Sequence, residues 1–206
     1  MKKNLILYNG PTSPFGRKVK VVSLVHNIEL EEKIINVYEA NFLDNKNPLR
    51  KIPTLLSDNI TIVDSDNICL YFDGITKNKT LFPKKNYWQI MTYTSIANGL
   101  MEAVLERFME TSRLDGEKSE TFIKKLEIRA NRTIDWLNNN IEYLKDNYLT
   151  MDKIAIACAL DYTIFRFTDN WMSQNLELSN WFDKFKERDF MKNTIPKIQN
   201  HQSIKK

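Results

Sequence analysis

Residues 47–72 read NPLRKIPTLLSDNITIVDSDNICLYF, and the fold of the first part of the chain can be worked out from them. Segments 54–56 and 60–63 are rich in β-forming residues. Between them, 57–59 has the composition of a tight turn. We therefore expect two antiparallel strands joined as a hairpin.

The segments on either side of this hairpin complete a small α/β unit. Residues 64–72 place capping side chains before an apolar run, which predicts a helix. Upstream, the apolar run 4–8 is typical of a strand, and 32–37 is a second strand-like segment. Between those runs a helix should begin with Ser13 as its N-cap and Pro14 at its first position. The order strand, helix, strand, linker, hairpin, helix predicts one mixed sheet with helices in a unit of about 75 residues.

The rest of the chain has a helical pattern. A polar segment with Gly and Pro, 73–86, suits a linker between domains. Apolar residues then recur at steps of three and four in 88–108, 117–148 and 176–192, and 117–148 predicts one long amphipathic helix. Residues 154–160 are apolar on every side, which is typical of a helix at the centre of a domain. We expect an α/β domain followed by an all-α domain.

Composition and charge argue against several partners and locations. The 206 residues include 30 basic and 26 acidic side chains, for a net charge of +4. The densest basic patches, 50–51 and 205–206, are too small for nucleic acid as the main partner. No segment approaches the roughly 18 consecutive apolar residues of a membrane span, and the apolar run behind the N-terminal lysines is too short for a signal peptide. We expect a cytoplasmic protein with no membrane partner.

The two cysteines do not predict a metal or redox site. Cys69 and Cys158 lie far apart in the sequence, each inside an apolar segment with no second Cys or His nearby. We interpret both as buried free thiols, which supply neither zinc ligands nor a dithiol pair.

A set of motifs in this order and spacing resembles the cytosolic glutathione transferases. They are 12–15 (TSPF), 47–55 (NPLRKIPTL), 64–65 (DS), and 149–155 (LTMDKIA) followed by 158–162 (CALDY). The chain is most similar to small bacterial members with Ser-Pro-Phe at the start of the first helix. The resemblance implies a thioredoxin-like, glutathione-binding domain over 1–75 and an all-helical, electrophile-binding domain over 87–206. It also implies glutathione as co-substrate, a small hydrophobic electrophile, a role in detoxification and a homodimer.

Glutathione chemistry requires a thiolate, and Ser13 is the candidate group to stabilise it. A free thiol of this type has a pKa of roughly 8.5. A hydroxyl donor at a helix N-terminus favours the anion through its hydrogen bond and through the helix dipole. Thr12 is the nearest substitute donor. The sequence alone favours Ser13 as a simple N-cap, and it is the resemblance that favours the catalytic role.

The resemblance implies which residues bind glutathione. It predicts a cis bond between Ile52 and Pro53 that turns the Ile52 backbone toward the cysteinyl part of the ligand. The Asp64-Ser65 pair would bind the γ-glutamyl end at a helix N-terminus, although such pairs commonly do no more than cap. Either Lys51 or Arg50 could pair with the glycyl carboxylate, or remain a solvated surface charge. The full predicted glutathione set is Phe15, Lys51, Ile52, Pro53, Asp64 and Ser65.

The resemblance also implies where the electrophile binds. We expect it between Ser13 and the first helix of the second domain. Met and aliphatic side chains adapt to varied apolar ligands, but they serve equally well as core. The candidates on that helix are Asn98, Met101, Glu102 and Leu105.

One motif departs from the family pattern at the start of the core helix. Relatives often have an acid three residues after the capping Ser or Thr, whereas here Lys153 follows Thr150 at that spacing and Asp152 comes one residue early. We expect a weaker cap, with Asp152 interacting favourably with the helix dipole.

Two functions other than transfer remain open at the sequence level. One is a non-catalytic binding or regulatory module of the same fold, like the stringent-starvation type that associates with RNA polymerase. The intact set of Ser13, Pro53 and 64–65 favours an enzyme that conjugates electrophiles or reduces peroxides, because an interaction module would not need it. A thiol-disulfide oxidoreductase is disfavoured because no Cys begins the first helix.

Overall fold

The computed structural model describes residues 4–58, 60–167 and 170–196. Asn59 of the predicted turn, the N-terminal lysines and the end of the predicted second domain, with Lys205 and Lys206, lie outside these residues. The predicted fold class is confirmed. A four-stranded mixed sheet with flanking helices is followed by a mostly helical part.

The first compact unit is built on the sheet. Its elements are β1 (Leu5–Asn9), α1 (Pro14–Val25), β2 (Glu31–Ile34), a 3-10 turn (Asn41–Leu43), β3 (Thr54–Ser57), β4 (Ile60–Val63) and α2 (Ser65–Ile75). The strand order is β2-β1-β3-β4, with β1 parallel to β2 and antiparallel to β3. β3 and β4 pair antiparallel with Thr54 opposite Val63, which confirms the predicted hairpin.

The core of this unit uses both faces of the sheet. Leu7 of β1 and Leu55 of β3 are fully buried, as is Phe72 of α2. Because successive side chains of a strand point to opposite faces, Tyr8 lies on the other face, where it packs with Ala40 and Leu43. The sheet is therefore covered on both sides at β1.

The C-terminal segment also belongs to the first unit. This unit contains the chain up to Lys79 and the described residues from Phe190 onward, whereas the second contains Thr80–Asp189. The predicted domain 87–206 differs from this division because its last part groups with the α/β unit. The predicted linker, 73–86, contains the boundary at Lys79.

Arg17 of α1 explains why the C-terminal segment joins the first unit. Its guanidinium is almost fully buried. It donates hydrogen bonds to the carbonyl of Met191 at 3.3 Å and to the hydroxyl of Thr194 at 3.4 Å. A buried cation requires such acceptors, so this contact stabilises the segment against α1.

His26, at the C-terminal end of α1, should make the stability of the first unit depend on pH. The ring is buried, with Nε2 3.2 Å from Asp73 Oδ1. Burial lowers the pKa of His26, and Asp73 only partly offsets this. A histidine whose folded-state pKa lies below its unfolded value stabilises the fold fully above the unfolded pKa of about 6.5 and loses that contribution as the pH falls below it.

We therefore expect the advantage of wild type over His26→Gln in free energy of unfolding to shrink between about pH 7.5 and pH 5.5. Urea denaturation at several pH values measures it. Parallel pH curves for the two proteins would contradict the prediction.

The second unit consists of helices. They are α3 (Tyr87–Thr111), α4 (Glu120–Asn139), a 3-10 turn (Ile141–Leu144), α5 (Met151–Arg166), α6 (Trp171–Gln174), α7 (Leu176–Lys186) and α8 (Asp189–Lys192), which begins at the last residue of this unit. α3 packs against both α4 and α5. Every residue from 151 to 160 is buried, which confirms the prediction that 154–160 is a helix buried on every side.

The predicted single helix over 117–148 is wrong, because α4 ends at Asn139. Asn140 leaves the helical conformation with φ −107° and ψ 23°, and its side chain donates to the carbonyl of Trp136 at 2.8 Å. Asparagine side chains compete for backbone groups in this way and favour helix ends. The apolar spacing continues past the break because Ile141 and Leu144, in the 3-10 turn, are also buried.

Lys153 stabilises the loop that precedes α5. Thr150 makes no side-chain capping bond, as expected from the altered motif. The Lys153 ammonium instead donates to the carbonyls of Asp146 at 2.9 Å and Tyr148 at 2.8 Å, and it pairs with the Asp146 carboxylate. Burial raises the pKa of Asp152, the neighbouring carboxyl. Lys153 thus organises the loop before the helix rather than the helix end.

Candidate functional site

Ser13 is the N-cap of α1, and its hydroxyl still has a proton to donate. The residue has φ −69° and ψ 119°, and its Oγ accepts a hydrogen bond from the Gly16 N–H at 3.1 Å. Because this bond uses only a lone pair, the O–H can donate to another group. Capping and anion stabilisation are therefore compatible at Ser13. Thr12 is half-buried beside it.

The electrostatics of this helix end favour an anion. The first turn of α1 contains no acidic residue, so its N–H groups and dipole are not neutralised there. The predicted contact Phe15 lies in this turn and is half-buried. The Lys18 ammonium is 5.9 Å from the centre of the Phe15 ring.

The Ile52–Pro53 peptide bond is cis, as the resemblance implied. Pro53 is buried and Ile52 is half-buried. The N–H and C=O of Ile52 have no hydrogen-bonding partner among the described residues. This backbone can accept an extended peptide as an added strand.

Asn47 holds the loop that carries this bond, a role that its place in a sequence motif did not reveal. Its side-chain amide donates to the carbonyl of Lys51 and to the hydroxyl of Thr54, both at 2.9 Å. Its carbonyl oxygen accepts from the Leu49 N–H at 3.1 Å. A buried amide that makes all of these bonds restricts the loop to one conformation.

The two cations of this loop differ in their partners. Arg50 donates through Nε to Asp44 at 2.6 Å and makes a second bond to the other oxygen of the same carboxylate. This hydrogen bond lowers the pKa of Asp44. Lys51 is exposed and makes no ion pair with any residue that the structure describes.

Asp64 and Ser65 form the N-terminus of α2. The Asp64 carboxylate accepts from the N–H groups of Asp66 at 2.8 Å and Asn67 at 3.4 Å. Asp64 has φ 73°, a conformation that costs a non-glycine residue about 1–3 kcal/mol and that is often found at ligand sites. Ser65 is 5% exposed, and its hydroxyl and N–H have no partner in the described part of the chain.

A buried ion pair connects the start of α2 to α1. Lys18 is 0% exposed, and its ammonium pairs with the Asp66 carboxylate, whose side chain is 18% exposed. No sequence motif predicted this pair, because the two residues lie 48 positions apart. A signal was available, since Lys18 directly precedes the core residue Val19.

The predicted electrophile contacts all lie on α3, in the second unit. Met101 is fully buried, so it serves the core of that unit. Asn98 and Leu105 are half-buried and Glu102 is exposed, which leaves these residues accessible to a ligand.

Metal-binding groups, disulfide bonds and membrane-spanning helices are absent from the described residues. Within 4–58, 60–167 and 170–196, His, Cys, Asp and Glu side chains form no group able to hold a metal ion. Cys69 and Cys158 are both buried and unbridged. No helix in these ranges is long and apolar enough to cross a membrane.

Comparisons with known proteins agree with this geometry. Residues 7–80 match a model of the N-terminal domain of glutathione S-transferase. The GST-like protein YibF of Escherichia coli (strain K12) is 30% identical over 164 residues, which cover 75% of this chain and 80% of YibF.

Solved structures extend the likeness over almost the whole chain. A glutathione transferase family member from Pseudomonas fluorescens Pf-5 with bound glutathione superposes with a TM-score of 0.89 at 27% identity, covering 95% of this chain and all 100% of the other. A glutathione S-transferase from Methylobacillus flagellatus KT, also with glutathione bound, has a TM-score of 0.89 at 25% identity, covering 94% and 100%. The chain therefore belongs to the glutathione S-transferase family.

Proposed function

We propose that this protein is a glutathione transferase that activates the glutathione thiol for attack on small hydrophobic electrophiles or peroxides. The observation that carries the proposal is the Ser13 hydroxyl, which caps α1 through its oxygen and keeps its proton for an anion. Lowering the thiol pKa by about two units requires roughly 2.7 kcal/mol of differential stabilisation. A hydrogen bond to a charged group contributes about 1.5–3 kcal/mol and the dipole about 0.3–1 kcal/mol. These two effects are sufficient together, with Thr12 as the substitute donor.

The tripeptide would lie along the first unit. The unpaired N–H and C=O of Ile52, next to the buried Pro53, suit the backbone of the cysteinyl residue. Phe15, in the first turn of α1, would contribute apolar contact near the sulfur. This arrangement assigns glutathione binding to the predicted domain 1–75.

The ends of glutathione would be bound by charges and by a helix N-terminus. The N–H and hydroxyl of Ser65 suit the γ-glutamyl carboxylate, and Asp64 favours the ammonium. Lys51 is the better candidate for the glycyl carboxylate, because Arg50 is already paired with Asp44. Glutathione would thus be bound at both ends and in the middle.

The second unit would bind the electrophile through α3. Asn98, Glu102 and Leu105 are the accessible candidates, whereas Met101 would support them from the core. Family membership further supports a homodimer in the cytoplasm.

Ser65→Ala tests the binding part of this proposal. Loss of a hydrogen bond to a carboxylate should weaken glutathione binding by roughly 10- to 100-fold, measured by isothermal titration calorimetry. Ser95→Ala changes an exposed serine of α3 and should bind glutathione like wild type. Equal affinity of both variants would contradict the assigned role of Ser65.

A conjugation and peroxidase assay on wild type separates the enzyme from a binding module. Turnover with at least one electrophile or peroxide is expected. Tight glutathione binding without turnover on any of them would favour a non-catalytic binding module instead, and absence of glutathione binding would contradict the proposed transferase.

A further inference from the structure

Gly16 is in a helix for a steric reason that involves Asn9. It is the third residue of α1, and glycine is a poor helix former. A Cβ at this position would lie 1.6 Å from Asn9 Oδ1, 2.4 Å from its Cγ and 2.7 Å from its Nδ2. The Asn9 amide therefore occupies the space that any other side chain at position 16 would need.

Asn9 cannot easily leave this space. It is the last residue of β1, it is 2% exposed, and its carbonyl oxygen accepts from the Ile35 N–H at 2.9 Å. Its side-chain Nδ2 donates to Glu32 Oε1 at 2.8 Å. The other oxygen of the Glu32 carboxylate is 2.8 Å from the Lys20 ammonium of α1. Glu32, on β2, thus fixes the orientation of the amide.

The Asn9 Oδ1 atom makes an unusual contact. It is buried and accepts no hydrogen bond from any described residue. It faces the Cα of Gly16 in the first turn of α1, where the positive end of the helix dipole and a weak C–H donor offset part of the missing bond. The close approach of these two residues thus depends on the absence of a side chain at Gly16.

The residue that contacts Asn9 also bonds to Ser13, because the Gly16 N–H donates a hydrogen bond to the Ser13 hydroxyl. We propose that Asn9 is a positioning residue, which sets the distance of the first turn of α1 from β1 and so places the Ser13 hydroxyl for the thiol. This inference rests on the proposed function of Ser13. Asn9 lies outside the motifs that carry the family resemblance.

The other helical glycines provide the contrast and the control. A Cβ at Gly74 of α2 or Gly99 of α3 would have no atom within 4 Å. Gly74→Ala changes a helical glycine of the same unit without steric cost. It should therefore bind and activate glutathione like wild type.

The experiment is a mutant cycle with the variants Asn9→Ala, Gly16→Ala and the double variant, alongside Gly74→Ala. For each, the pH profile of kcat/KM and the ultraviolet thiolate absorbance of bound glutathione report the thiol pKa. Gly16→Ala should raise this pKa by about one unit, because the new methyl group displaces the first turn. It should lower kcat/KM roughly threefold at pH 7 and nearly tenfold at about pH 5.5, where the thiolate fraction is small in both proteins. The double variant, which has room for that methyl group, should recover a thiol pKa and a kcat/KM close to those of wild type.

The outcomes separate this inference from the proposed function. If wild type lowers the thiol pKa but folded Gly16→Ala does so equally, the positioning role is overturned and the function of Ser13 stands. If Gly16→Ala does not fold, recovery in the double variant supports the role, and a double variant that folds without recovery overturns it. If wild type itself leaves the thiol pKa at its ordinary value, both proposals fail.

Discussion

Ser13→Ala is expected to raise the pKa of the thiol of bound glutathione from about 6.5 to about 8.5, its value in free solution. At pH near 7 the thiolate fraction would then fall from about three quarters to about three per cent. We therefore expect kcat/KM to fall roughly 25-fold at this pH, and the two proteins to converge above about pH 9, where both thiols are ionised. Stopped-flow conjugation across pH measures the effect.

The control for this prediction must remove an equivalent cap elsewhere. Ser119 is the N-cap of α4, and its hydroxyl accepts from the Phe122 N–H at 3.3 Å. Ser119→Ala should lose stability as Ser13→Ala does, by about 1 kcal/mol, but retain the wild-type pH profile.

Two further variants decide which hydroxyl acts on the thiol. Ser13→Thr keeps a hydroxyl and should retain most of the activity. If Ser13→Ala keeps the wild-type profile, the Thr12→Ala/Ser13→Ala variant tests substitution by Thr12. Wild-type behaviour of that double variant would contradict thiol activation by either hydroxyl.

Asp66→Ala is expected to destabilise the first unit by about 3 kcal/mol, because it removes the carboxylate that pairs with the fully buried Lys18. The value lies at the low end of the range for buried pairs since Asp66 is partly exposed to water. Lys18→Met should cost less, because it removes the buried charge together with its need for a partner. Guanidinium chloride denaturation gives the free energies of unfolding.

An exposed ion pair of the same unit provides the comparison. Glu31 and Lys33 are 3.3 Å apart and largely solvated, so Glu31→Ala should cost less than about 1 kcal/mol. If Asp66→Ala costs no more than Glu31→Ala, the pair between α1 and α2 does not stabilise the fold. If the ion pair does stabilise the first unit, Asp66→Ala should also weaken glutathione binding, because Asp66 follows Ser65 in the first turn of α2.

Several parts of the site could be predicted because their causes are local. Ser13 followed by Pro14 predicts a helix start from two neighbouring residues, and the structure has the cap there. Asp64 likewise caps α2 through N–H groups only two and three residues away. The cis isomer at Pro53 could not be predicted from local residues in this way. A lone X-Pro bond is usually trans, and only the resemblance predicted cis.

Other features could not be predicted, because the local pattern of residues does not reveal them. The break at Asn140 was missed because the apolar spacing continues through a 3-10 turn, and spacing does not register the change of backbone. The preference for Lys51 over Arg50 had no local cause in the sequence. The partner that occupies Arg50 is Asp44, whose side chain reaches Arg50 only through the shape of the loop.

By itself, the amino-acid sequence determined the order of the elements, the caps of α1 and α2, the hairpin and the buried core helix. These features arise from turn residues, capping side chains and apolar periodicity, which act between neighbours about two to four positions apart. Only the tertiary structure decided which distant groups meet, since such contacts depend on how whole elements pack rather than on any local pattern. The contacts in question are Asn9 against Gly16, Lys18 with Asp66, and Arg17 with the C-terminal segment.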